Sequence, residues 1–531
     1  MQNPIDFSGK PFHFIGIGGI GMSALAYILA RRDFPVSGSD VRLSHITQRL
    51  QEQGVHIFWR QDADNIDYFQ KHKSLTGISS HLAESDTLAL GSALPASSDT
   101  RSHTNASSID RLTKAKLTKA RQAKLPQIIC STAIDDSNSE YSAALAANCP
   151  IFHRSDLLAA LIQDYHGIAV AGTHGKTTTS SLIGYLLLAA DLDPTIIVGG
   201  EVAAWEGNAR LGQGPYLVAE ADESDGSLVK LSTQIGVVTN IELDHPDHYT
   251  DLSQVGDIFK AFAQRCQTLI GCIDCPNVRQ FLRPTISYSL DLDSGADYAV
   301  DCVNYRADGI TARVWEQGQI LGQLNLKLLG QHNLRNALAA VAVGRLLGLE
   351  FSTIARIVLN FEGARRRFEC RGRYNDILFV DDYAHHPTEI QATLAAARIQ
   401  VENLKTTAPS GRLVAIFQPH RYSRAATFLS EFAAAFQAAD QVVVTDIYSA
   451  GEPDTGRVTN HQVVAAIAAQ HPDVVYQPCL KSVCQFLTEV LLPGDIAVFL
   501  GAGNLNQIIP EVMAFYQQIE QSLSKQLCNQ A

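Results

Sequence analysis

The chain has 531 residues, of which 46% are hydrophobic and 18% charged, and its formal net charge is −12. That length exceeds one ordinary core and predicts two to four domains with ample apolar material. The negative balance argues against nucleic acid as the main partner, although helix N-termini and a few Lys and Arg can still hold small anions.

No apolar run reaches the roughly eighteen residues of a membrane span. The opening MQNPIDFSGKPFHFIGIGG lacks the basic, apolar and small-residue succession of a signal peptide. Ten cysteines scattered along the chain suit a reducing cytoplasm better than a disulfide framework. Cys272 and Cys275 have metal or redox spacing but no second pair, and read as chance cysteines at a strand end.

In PFHFIGIGGIGMSALAYILARR an apolar strand enters a glycine turn and then a helix with Met22, Leu25, Ala26 and Leu29 on one face. FPVSGSD supplies the next strand, so the organisation is βαβ and predicts a parallel sheet. Gly16, Gly18 and Gly21, with Gly19 between them, satisfy G-x-G-x-x-G, and Asp40 follows about twenty residues on. This fits a dinucleotide site with Asp40 on a ribose hydroxyl. The same turn would hold any diphosphate, that of a UDP-sugar included, or serve as a turn without a ligand.

Residues 96–127 are polar and mostly basic, and read as a partly helical surface insertion. In AVAGTHGKTTTSSLIGYLLL, residues 169–188, a strand runs into Gly-Lys-Thr and an apolar helix. The usual phosphate loop has glycine where this chain has Val170. The remaining parts keep their order: Gly172 and Gly175 bracket a turn, Lys176 can reach the β/γ oxygens, and Thr177 offers a hydroxyl to Mg²⁺. The reading is an ATP site.

Two further strands end in acidic clusters: Glu220, Asp222, Glu223 and Asp225, then Glu242, Asp244, His245 and Asp247. Strand ends are where α/β sheets place ligands, and hard carboxylates suit Mg²⁺. Residues 286–330 alternate and look like an antiparallel addition. GQHNLRNALAAVAVGRLLGL is a helix, and a third set of strand–helix units follows FEGARRRFECRGRYND, with 402–411 as a loose loop. In this last part Arg366, Arg367, His385, His420, Arg421 and Arg424 gather positive charge. They form either a solvated rim or a clamp for phosphoryl and carboxylate oxygens.

The motifs GTHGKTTT, EADESD, TNIELDHPDHY, GQHNLRNALAA, RRRFE and DDYAHHPTE, in this order, resemble the Mur ligases of peptidoglycan synthesis. HFIGIGGIGMSALA and FQPHRYSR resemble the alanine-adding branch. The resemblance spans about residue 11 to about residue 510, interrupted by 96–127 and 402–411.

It implies an α/β fold of three domains. These are an N-terminal Rossmann-like UDP-sugar domain (1–152), a central P-loop ATPase domain on a parallel sheet (153–366) and a C-terminal Rossmann-like closure domain (367–531). The first glycine loop and Asp40 would then hold UDP-N-acetylmuramate, and the family's short P-loop makes Val170 no departure. Gly172, Thr173, His174, Gly175, Lys176, Thr177 and Thr178 would cradle ATP. Thr177 and Glu220 would hold one Mg²⁺, and Glu220 and His245 a second.

His332, Asn333 and Asn336 match the adenosine helix. Arg367 matches the arginine near the transferring phosphoryl group, and Asp382 the aspartate of the last domain. Tyr383, His385, His420, Arg421 and Arg424 match the pocket for L-alanine. Lys260 has the spacing of a carbamylated lysine in sister ligases, which the alanine-adding branch is not known for, and is expected at the surface.

The implied reaction phosphorylates the lactyl carboxylate of the sugar and passes the acyl group to the amine of alanine. The expected protein is cytoplasmic, a monomer or weak homodimer, with no nucleic-acid or membrane partner. The alternatives are a sister ligase adding another amino acid or a preformed peptide, an NAD-dependent oxidoreductase, and a nucleotide-gated binding protein without turnover. The oxidoreductase reading leaves the ATP site unexplained.

Overall fold

Short apolar runs separated by helices build three sheets in a computed structural model that describes residues 4–42, 44–71, 125–404 and 411–530. The chain divides into two compact units, 1–161 and 162–531. The first holds one sheet and the second holds two.

The first sheet has five strands: β1 (Phe12–Ile15), β2 (Val36–Ser39), β3 (His56–Phe58), β4 (Gln127–Cys130) and β5 (Ile151–His153). They lie in the order β3-β2-β1-β4-β5 and all pair in parallel. The helix Ile20–Arg31 buries Met22, Leu25, Ala26 and Leu29, the face its periodicity predicts. Nearly all of the segment 96–127 lies outside the described residues. Its last three do not fit a surface insertion: Leu125, Pro126 and Gln127 are buried as β4 begins.

A polar network lies inside this unit. His13 Nε2 pairs with Glu140 Oε1 at 2.7 Å and His13 Nδ1 with Ser37 Oγ at 2.7 Å. Asn65 donates to Glu140 at 2.8 Å, and Ser39 donates to its other oxygen. Both His13 and Glu140 are fully buried, and a buried charge is tolerated only with such satisfaction.

The second sheet has ten strands: β6 (His166–Ala171), β7 (Thr195–Val202), β8 (Gly207–Arg210), β9 (Tyr216–Glu220), β10 (Thr233–Val238), β11 (Cys266–Cys272), β12 (Ile286–Tyr288), β13 (Tyr298–Arg306), β14 (Gly309–Glu316) and β15 (Gln319–Leu326). Their order is β15-β14-β13-β12-β11-β10-β6-β9-β7-β8. The strands around β6 are parallel, while β13, β14 and β15 form the expected antiparallel addition. The helices Lys176–Ala189 and Gln331–Leu346 pack into its core through Leu182, Leu186, Leu338 and Val341.

The third sheet runs β16-β17-β21-β18-β19-β20, from β16 (Glu369–Tyr374), β17 (Ile377–Asp382), β18 (Leu413–Phe417), β19 (Gln441–Val444), β20 (Val474–Tyr476) and β21 (Ile496–Leu500). Only β16 is antiparallel to its neighbour. Apolar clusters on both faces account for the near-continuous hydrophobic strands. The helix Pro387–Leu404 covers one face and extends into the segment read as a loop. Residues 405–410 of that segment lie outside the described residues. Among the described residues, no helix is long and apolar enough to cross a membrane.

Candidate functional site

In the first unit the glycine turn joins β1 to the helix Ile20–Arg31, and Asp40 follows β2. Asp40 Oδ2 accepts the Gly18 N–H at 2.8 Å, and Oδ1 accepts the Arg42 N–H at 2.9 Å. The aspartate therefore braces the loop, with both oxygens taken by backbone. Gly16 has φ +81°, Gly19 donates to its carbonyl, and Gly21 lies under Arg154.

The P-loop connects β6 to the helix Lys176–Ala189. Gly175 caps that helix in the left-handed region (φ +78°), where a side chain would also strike Asn336. The His174 N–H donates to Asn240 Oδ1 at 2.9 Å, and Thr173 Oγ1 accepts the Glu242 N–H at 2.8 Å. The loop's shape is thus held by the segment after β10. Thr178 is buried in the first turn.

Lys176 Nζ donates to Glu223 at 2.9 Å and to the Gly172 and Thr173 carbonyls at 2.6 and 3.1 Å. Burial works against the ammonium, but Glu223, Asp222 and Glu220 outweigh it and hold Lys176 above its ordinary value.

Thr177 Oγ1 donates to Glu220 Oε1 at 3.1 Å, and Glu220 Oε2 accepts the Gly199 N–H at 2.7 Å. A Cβ on Gly199 would land 2.5 Å from that carboxylate, which explains glycine there. A hydroxyl beside a carboxylate, both anchored, is a hard-oxygen pair that fits Mg²⁺. His245, in the left-handed region at φ 56°, is pulled down by burial and so offers a neutral imidazole.

The third layer reaches the same place. Arg367 donates to Thr177 Oγ1 at 3.2 Å, and the Arg366 and Arg367 guanidinium carbons lie 4.9 and 5.1 Å from the centre of the Tyr383 ring. Asp382 accepts the Phe368 and Ala384 N–H groups, each at 2.7 Å, and burial lifts it to about 6. Its carboxylate fixes the two loops that carry Arg367 and Tyr383.

Arg424 pairs with Asp244 at 2.9 Å and contacts His420 Nδ1 at 3.2 Å, while Arg421 pairs with Asp247 at 2.6 Å. Both arginines of the expected alanine pocket are therefore engaged by carboxylates that follow β10. Burial pushes His385 down to about 4 and His420 to about 2.

Between these layers lies a cavity of about 310 Å³. Gly175, Thr178, His332, Asn333, Asn336, Arg367 and Asp382 line it, so residues scattered over two hundred positions share one space. Cys272, Asp274, Cys275, Tyr288 and Arg335 line it too, and the sequence reading assigned none of them a role. Asp274 lies in the turn after β11 and accepts from Arg335 Nε at 2.9 Å, but is outside the two acidic clusters. Lys260 is a surface residue paired with Asp257 at 3.0 Å.

Glu389, in the first turn of the helix Pro387–Leu404, accepts the His385 and His386 N–H groups through Oε2. Its Oε1 is 3.2 Å from His174 Nδ1, and Glu242 Oε2 is 3.3 Å from His174 Nε2. Burial disfavours charge on His174, but these two carboxylates more than offset it and raise it to about 10. Glu389 closes the motif DDYAHHPTE but was given no role, because its partner lies 215 residues away.

A P-loop on a parallel sheet, met by arginines from the third layer, fits a Mur ligase, and the family matches show that the chain belongs to that family. The profile for the Mur ligase family catalytic domain matches residues 11–97, the Mur ligase middle domain 170–344, and the Mur ligase glutamate ligase domain 366–503.

Within the family, a UDP-N-acetylmuramate–L-alanine ligase of Nostoc punctiforme is 61% identical over 516 residues, covering 97% of this chain and 98% of its own. One of Trichodesmium erythraeum is 60% identical over 540 residues, covering 98% of each. Among solved structures, the UDP-N-acetylmuramate-alanine ligase of Thermotoga maritima has a TM-score of 0.73 at 24% identity, covering 96% of this chain and 99% of its own, and shares the fold.

Proposed function

We propose that the chain ligates L-alanine to the lactyl carboxylate of UDP-N-acetylmuramate at the expense of ATP, giving UDP-N-acetylmuramoyl-L-alanine, ADP and phosphate. The choice of substrates rests on the near-full-length identity to curated ligases of that activity. The chemistry rests on one observation: Arg367 of the third layer reaches the P-loop threonine beside Lys176.

The lactyl carboxylate attacks the γ-phosphorus, ADP leaves, and an acyl phosphate forms. The amine of alanine then attacks the acyl carbon, loses a proton and expels phosphate. Phosphoryl transfer asks for positioning and dispersal of charge more than covalent chemistry. Lys176, released from Glu223, and Arg367 from the opposite side supply fixed positive charge to the phosphoryl oxygens.

Thr177, Glu220 and His245 would hold Mg²⁺, which when bound neutralises charge on the ATP phosphates. His332, Asn333 and Asn336 face the adenosine, and Asp382 positions Arg367. His385 and His420, kept neutral by burial, with Tyr383, Arg421 and Arg424, border the alanine subsite. The carboxylate of alanine would compete with Asp244 and Asp247 for the two arginines. Gly16, Gly18, Gly19 and Gly21, braced by Asp40, hold the diphosphate of the sugar nucleotide.

We assign these roles to domains 1–152, 153–366 and 367–531 of a cytoplasmic enzyme, a monomer or weak homodimer. Phosphate release with ATP, Mg²⁺ and UDP-N-acetylmuramate, run against a panel of amino acids, tests the reading. Alanine is expected to give the highest kcat/KM, and preference for another amino acid or a peptide would transfer the chain to a sister activity.

A further inference from the structure

Three ligand-bearing side chains from three segments converge beside the P-loop, and none belongs to the set Thr177, Glu220 and His245. His174 lies in the P-loop, Glu242 after β10, and His386 between β17 and the helix Pro387–Leu404. One nitrogen of each imidazole and one oxygen of Glu242 lie within 4.8 Å of one another. His174 Nε2 is 3.3 Å and His386 Nδ1 4.0 Å from the same Glu242 oxygen, and the two rings are 4.7 Å apart.

His386 is 5% exposed; the nitrogen it brings near Glu242 is Nδ1, which also accepts the Thr388 N–H at 3.3 Å, while its buried Nε2 has no hydrogen-bond partner among the described residues.

The donor types choose among divalent ions. Two imidazoles with one carboxylate are a ligand set for Zn²⁺ and its first-row neighbours, whereas Mg²⁺ takes oxygen and keeps its waters. His174 and Glu242 also line the cavity, which leaves a coordination position open to solvent or to a bound ligand.

We propose that His174, Glu242 and His386 form a binding site for a divalent transition ion of the zinc class, separate from the Mg²⁺ ligands. The ligands join the P-loop layer to the third layer. An ion held there opposes their separation and slows any turnover step that needs it.

The test uses full-length protein stripped with chelator, in excess Mg²⁺ and without substrates, so its outcome is separable from that of the ligase assay. Titration with Co²⁺ is expected to give a visible ligand-field spectrum that saturates at one equivalent and is displaced by Zn²⁺. His386→Gln and Glu242→Gln, checked for folding by circular dichroism, are each expected to weaken binding by about a hundredfold, while His245→Gln leaves it unchanged. The proposal is overturned if no ion binds, if excess Mg²⁺ abolishes binding, or if His245→Gln removes the spectrum and His386→Gln keeps it.

Discussion

The Arg424 guanidinium and the Asp244 carboxylate form an ion pair at 2.9 Å, with Arg424 2% and Asp244 5% exposed. It joins the helix Tyr422–Thr427 to the loop after β10. Removing one partner of such a pair strands the other charge. Arg424→Ala is therefore expected to cost about 3–5 kcal/mol of stability, read by denaturant unfolding, and to raise the KM for alanine more than that for ATP. An equal rise in both would take Arg424 out of the alanine subsite.

The P-loop carbonyls and Glu223 together hold the Lys176 ammonium. Lys176→Ala is expected to lower phosphate release by at least about a hundredfold. The affinity for the UDP-sugar, measured by calorimetry, should stay within about twofold, because the glycine loop proposed to hold the sugar nucleotide lies in the first compact unit. Joint loss of both would contradict the assignment of the two ligands to different units.

His174 is raised above its ordinary value, to about 10, by Glu242 and Glu389. A raised histidine contributes stability that is fully present below its unfolded value near 6.5 and is lost as pH rises through about 10. Chelator-treated protein should therefore lose thermal stability between those limits, and Glu389→Gln should flatten that dependence. Imidazole titration by NMR checks the cause: in Glu389→Gln the His174 transition should move toward the ordinary value.

In the first unit, Glu140 receives His13, Asn65 and Ser39 with no access to solvent. Glu140→Ala should destabilise that unit by about 3–5 kcal/mol, whereas Glu140→Gln, which keeps the shape and part of the bonding, should cost less. Equal losses in thermal melts of the two variants would show that shape, not charge, holds the network.

Much of the fold was legible because the signals are local. The turn glycines at Gly16 and Gly175, the runs ILFV and QVVV, and the helix from Gln331 declare themselves within a few residues. The P-loop was legible for the same reason, since its N–H groups, Lys176 and Thr177 are consecutive.

What escaped was pairing at a distance. Arg424 reads as an anion clamp until Asp244, 180 residues earlier, is found against it. Glu389 has no role in its motif until His174, 215 residues earlier, is found against it. Asp40 reads as a free ribose ligand until the Gly18 N–H claims it. Leu125 and Gln127 read as the tail of a basic insertion, because the strand they enter is short and only its parallel partners bury it.

The chain order of motifs alone determined that a nucleotide cradle, acidic strand ends and a late arginine cluster exist, because each is a contiguous run with its own backbone geometry. Which carboxylate faces which cation was decided by the tertiary structure. Coulomb energy and desolvation depend on separations of a few ångströms between residues that sequence keeps far apart.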